Sequence, residues 1–205
     1  MSAAKREILR RIRDANSGSA TVREPVRQYR QSGEASVEAL AEKLRDYGAG
    51  VYLCAPDEIP ASIRRAMEER AKSSLLIPVG LPAKWLPSGS TFIVDRGLGH
   101  EAIDGSEGAL TGCTVAIAST GTIVLCHSET EGRRALTLIP DYHLCVVAQD
   151  QIVASVPEGV RVFGRFQGSP MTMISGPSAT SDIEMKRVKG VHGPRTLDVI
   201  LVART

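Results

Sequence analysis

The chain has 205 residues, 42% of them hydrophobic and 23% charged, with a formal net charge of +2. That balance suits one α/β domain with a sizeable core and argues against nucleic acid as a partner, since one Trp, four Tyr and three Phe leave few rings to stack on bases. No apolar run approaches the ~20 residues of a membrane span, and the start, Met1-Ser2-Ala3-Ala4-Lys5-Arg6, leads into charges and not into a signal-like apolar stretch; a cytoplasmic location is expected.

Residues 3–14 have the spacing of a short amphipathic helix, with Ile8, Leu9 and Ile12 on one face. Residues 16–35 are rich in turn formers and read as a linker or surface arm, so 1–35 is expected to form an N-terminal helix and arm, and 36–205 the domain. Charge divides the same way: residues 1–35 hold eight Lys or Arg against four Asp or Glu, a balance of +4, and the remainder hold seventeen against nineteen, a balance of −2. A basic arm of this kind is expected to dock on its own domain or on a neighbouring subunit.

From Ser36, an expected N-cap, Val37, Leu40, Ala41 and Leu44 follow a helical period up to Gly48. Val51–Cys54 reads as a strand, a helix follows from Asp57 or Pro60 to about Ala71, and Leu75–Pro78 and Thr91–Val94 read as two further strands. This alternation predicts parallel pairing in a layered domain. Val115–Ala118 and Thr122–Leu125 flank Ser119-Thr120-Gly121 and predict a tight strand-to-strand bend covered on both faces. His143–Val147 predicts a strand, Gln149–Val156 a short helix, and Met171–Ile174 and Leu197–Val202 complete an expected sheet of seven or more strands.

The four cysteines (Cys54, Cys113, Cys126, Cys145) form no C-x-x-C pair. They are expected to be buried free thiols, with no metal or iron–sulfur site made by this chain alone. No cofactor can be read from the sequence; a Walker loop, G-x-G-x-x-G and G-x-S-x-G are all missing.

The densest polar segment runs from Ser175 to Arg195. Ser181-x-x-Glu184 fits a capping box with Asp182 in its first turn, so Ser175, Gly176 and Ser178 precede a helix start that can also take an anion. His192, between Gly190 and Gly193, suits proton transfer near neutral pH or a loop-fixing hydrogen bond. Arg195 suits a carboxylate or phosphate clamp, or an ion pair with Asp182 or Glu184. A second group, Thr120, Gly121 and Thr122 in the bend together with Arg134, offers hydroxyls, backbone donors and a guanidinium, though tight bends need such residues without any ligand.

Residues 116–125, Arg134 to Pro140, Ile174 to Glu184 and Gly190 to Arg195, in this order, resemble the LUD (lactate-utilization) domain family over roughly 36–205, in the type without a ferredoxin-like extension. The resemblance implies a three-layer αβα sandwich with a largely parallel or mixed sheet, similar to the superfamily of ribose-5-phosphate isomerase, glucosamine-6-phosphate deaminase and CoA transferases. It implies a part in L-lactate oxidation to pyruvate beside iron–sulfur partner proteins; the polar residues of the bend and of the 175–195 segment are expected to surround a small carboxylate or phosphate ester. The family usually has Glu just before Thr-Gly in the bend; here Ser119 stands there, so a carboxylate base or nucleophile does not carry over to it. A stand-alone isomerase-like or CoA-transferase-like enzyme would instead need Asp182 or Glu184 as its acid/base carboxylate. A non-catalytic structural subunit is the third reading.

Overall fold

A computed structural model describes residues 3–17, 31–166, 168–175 and 193–203. Its elements in chain order are α1 (Ala3–Asn16), α2 (Val37–Asp46), β1 (Gly50–Cys54), α3 (Ile59–Glu69), β2 (Ser74–Ile77), β3 (Thr91–Val94), α4 (His100–Asp104), β4 (Ala109–Thr111), β5 (Val115–Ile117), β6 (Thr122–Leu125), α5 (Arg134–Leu138), β7 (Tyr142–Ala148), β8 (Ile152–Val153), α6 (Val156–Phe163), β9 (Thr172–Ile174) and β10 (Thr196–Val202).

Local chemistry sets the helix starts. Ser36 Oγ accepts the Ala39 N–H at 3.1 Å and opens α2, whose Val37, Leu40, Ala41 and Leu44 are buried. At the start of α6 the Glu158 carboxylate reaches back to accept the Ser155 N–H at 2.8 Å, with Pro157 in the first turn. The helix expected over 149–156 is a difference: a short 3-10 turn spans Gln149–Gln151, then comes β8, and α6 begins only at Val156. The Gln151 amide causes it, because its Oε1 accepts the Ala148 N–H and its Nε2 donates to Cys113 O, tying the segment to the chain between β4 and β5.

The strands form two sheets where one was expected. Six run in the order β1-β10-β7-β4-β2-β3, with every neighbouring pair parallel. Four more run β8-β5-β6-β9, with β6 antiparallel to both neighbours. Side-chain alternation explains the division. Val115, Ile117 and Val124 point into a cluster closed by Phe163 of α6, and Ala116, Ala118, Ile123 and Leu125 point the other way, against Cys145, Val147, Val199 and Leu201 of the parallel sheet. The small sheet therefore lies over the parallel one, which apolar residues on both of its own faces require.

Helix α3 covers the opposite face of the parallel sheet, packing Ile59, Ile63, Ala66 and Met67 on Leu144, Val146 and Ile200. Helices α2 and α5 complete the near face through Leu40 and Leu44 and through Leu136. The architecture is thus mixed α/β with a mostly parallel central sheet flanked by helices. All four cysteines are buried and free.

Candidate functional site

The β5–β6 bend is held from outside by α2. Gly121 has φ +66°, a left-handed conformation open to glycine, and a Cβ there would lie 2.8 Å from Lys43 Cβ. Tyr47 Oη donates to Gly121 O at 2.6 Å, which locks the bend onto the end of α2. Beside it, Thr120 and Thr122 share a 2.7 Å hydrogen bond, and Thr122 Oγ1 donates to Ser175 Oγ at 2.8 Å. Each hydroxyl has one proton. With Thr122's proton committed to Ser175, Thr120 must donate to Thr122, and among the described residues the Ser175 proton has no acceptor. Ser175 is exposed, so this directed chain ends at a donor that no described residue takes up.

Ser119 follows Ala118 on the rim of the bend, its N–H donating to Ala154 O. It lines a groove of about 600 Å³ with Glu34, Ala39, Ala118, Ala154 and Ser155. The groove is mostly apolar, and Glu34 is the one charged group among the described residues that line it.

The structure brings together Thr120, Gly121, Thr122 and Ser175 among the residues singled out from sequence. Arg134 it places elsewhere: the residue opens α5, beyond the far end of β6 from the bend. Arg195 precedes β10 and pairs with Asp141, its Nε donating to Oδ1 at 2.9 Å and its Nη2 to Oδ2. That pairing holds Asp141 below the usual carboxylate range, and among the described residues the guanidinium is engaged by Asp141, which lies outside the 175–195 segment. Gly176, Ser178, Asp182, Glu184 and His192, with the capping box at 181–184, lie outside the described residues.

A second polar cluster occupies the carboxyl ends of the parallel strands, where ligands of open α/β sheets usually bind. Asp95, just after β3, accepts Nε and Nη2 of Arg133 at 2.7 and 2.9 Å and the N–H groups of Gly97 and Leu98. Arg133 foremost holds this buried carboxyl below its ordinary range. Glu131 is fully buried, one oxygen accepting Thr114 Oγ1 at 2.6 Å and the other the Ser128 N–H at 3.1 Å. His127 takes a left-handed φ of 56°, and its ring is fixed between Gly132 O and Thr172 Oγ1, both at 3.0 Å. The loop from His127 to Arg133 is stitched to the sheet by Gly80 N to Glu129 O and Gly112 N to Thr130 O. Arg133 engages Asp95, and a hydroxyl and a backbone N–H engage Glu131, so the cluster shapes the loop and presents Arg134 at its edge.

Sequence reading passed over Asp95, Glu131 and Arg133, and also Asp198 and Arg70, which form a buried ion pair. A signal existed for Asp198: a charge inside the apolar run Leu197–Val202 demands a partner. No comparable sequence signal marks Glu131. Among the described residues, no three His, Cys, Asp or Glu side chains converge as a metal site would require.

A mostly parallel α/β core carrying a second sheet, with polar groups gathered at strand ends, defines the class. Within it, residues 94–202 match the LUD domain. The chain is 47% identical to lactate utilization protein C of Deinococcus radiodurans over 78% of this chain and 76% of that protein. It is 32% identical to lactate utilization protein C of Bacillus subtilis, covering 81% and 68%. The fold matches the crystal structure of a DUF162 family protein from Deinococcus radiodurans with a TM-score of 0.71 at 42% identity, covering 80% of this chain and 94% of that one. The chain belongs to the LUD domain family.

Proposed function

We propose that this chain is a component of a lactate-utilization system, contributing to L-lactate oxidation to pyruvate with iron–sulfur partner proteins, and that it holds a small carboxylate or phosphate ester at the β5–β6 bend. Two curated relatives that carry the lactate utilization name match over most of this chain, which supports the system. The directed chain Thr120, Thr122, Ser175 carries the site, because it leaves one exposed hydroxyl donor on Ser175.

An anion at Ser175 would receive that proton's hydrogen bond without desolvating a competing carboxylate, which the usual Glu at position 119 would have supplied. Gly176 and Ser178, one and three positions on in sequence, are assigned to the same site by the sequence reading, with His192 and Glu184 as the groups for moving a proton. Arg195 could clamp the ligand only by exchanging Asp141 for it; in the state described it braces the start of β10. Arg134, beyond the far end of β6, does not belong to this site.

The test has two parts. Thermal unfolding with L-lactate, pyruvate, CoA and sugar phosphates should show one class raising the midpoint, and Ser175→Ala and Thr122→Val should abolish the rise. A ligand at 100 times its Kd contributes about 2.7 kcal/mol, which such a measurement resolves. L-lactate oxidation by the iron–sulfur proteins should require the chain. Turnover of a phosphosugar or an acyl-CoA by the purified chain alone would replace this reading with a stand-alone enzyme of isomerase or CoA-transferase type.

A further inference from the structure

Among the described residues, two helices carry uncovered apolar stripes. In α1, Ile8 and Ile12 are 58% and 51% exposed, and no residue of the helix is buried. In α6, Val156 and Val160 are 45% and 48% exposed and line a groove of about 380 Å³ with Pro157, Arg161 and Gln31. Both pairs are spaced by four residues, so each forms a stripe along one helix face. Exposed apolar stripes on two helices of one chain are matched surfaces for helix-on-helix packing.

We propose that α1 of one copy packs on the α6 groove of a second copy, and reciprocally, in a two-fold dimer built by exchange of the N-terminal arm. Two observations choose this occupant. The arm is tethered at the groove itself: Gln31 O accepts Arg161 Nη2 at 3.0 Å and Ser155 Oγ at 3.3 Å, and Glu158 accepts the Gly33 N–H. A segment the length of 18–30 reaches about 45 Å at most when extended, enough to cross to a neighbour.

Area favours two copies over one. A lone contact between two short helices falls below the roughly 1,200 Å² that a specific interface buries. A two-fold exchange makes the contact twice and covers all four stripes at once.

Light scattering on the full chain across a concentration series should give a dimer. Ile8→Asp with Ile12→Asp in one variant, and Val160→Glu in another, should each give a monomer with unchanged circular dichroism, since all three positions are on the surface. Mixing a chain carrying Ile12→Cys with one carrying Val160→Cys under mild oxidation should produce a disulfide-linked species of twice the mass; the four native thiols are buried. A monomeric parent chain overturns the proposal. So does a dimer that survives both variants, or a cross-link that forms only within one chain when both cysteines are placed on it.

Discussion

Asp198, in the strand between β1 and β7, receives both prongs of Arg70, Nε to Oδ2 at 2.9 Å and Nη2 to Oδ1 at 2.6 Å, across 128 positions of sequence. Tyr142 Oη donates to the same carboxylate at 3.1 Å. The neighbouring strand makes room with Gly50, where a Cβ would overlap Asp198 Oδ1. Arg70, just past α3, thus ties that helix to the central strand and neutralises the carboxylate in the core.

Arg70→Met should destabilise the fold, because it leaves a buried carboxylate with only Tyr142 as partner. Removing one member of a buried pair costs about 3–5 kcal/mol; Arg70 retains 38% side-chain exposure, so the lower end, about 3 kcal/mol, is expected. The double variant Arg70→Met with Asp198→Asn should recover part of that. Urea unfolding at constant m-value measures both.

His143 makes stability fall in mild acid. It is fully buried, and burial pushes its pKa down to about 4. Thr111 Oγ1 donates to Gly112 O, so His143 Nε2 must be the donor to Thr111, leaving Nδ1 buried without a partner among the described residues. The unfolded chain takes up this proton near pH 6.5 and the folded chain only near 4. The contribution is therefore complete above about pH 6.5 and is lost as pH falls towards 4, amounting to about 2 kcal/mol between pH 7 and 5. His143→Leu should flatten that part of the stability curve.

Below that window the Asp95–Arg133 pair governs. Its carboxyl is held down, so its contribution is present above about pH 4 and is lost as pH falls further, towards the lowered folded value. Asp95→Asn should cost about 2 kcal/mol at pH 7 and remove that acid limb, with Arg133 and the Gly97 and Leu98 N–H groups losing their charged acceptor.

Gly121→Ala should cost about 1–3 kcal/mol, through its left-handed backbone and its contact with Lys43. The same change displaces Thr120 and Thr122. Any ligand-induced rise in the unfolding midpoint should shrink in this variant, and Gly99→Ala, in open space, serves as the control.

The sequence by itself determined what short-range physics controls. The four-residue spacing of Leu40 and Leu44 with Ser36 ahead of them made α2 legible. So did the glycine in the 119–121 bend for the antiparallel β5–β6 pair, since period and turn chemistry act within a few residues. The motifs flanking the bend and Ser175 pointed to the family. Tertiary structure decided which distant groups meet. It alone made Asp141 the partner of Arg195 and Arg70 that of Asp198, and it alone separated Arg134 from Thr120 by the length of β6. It also divided the strands into two sheets, because their register depends on both faces of β5 and β6 finding apolar cover at once, a condition set by the packed whole and not by any one segment.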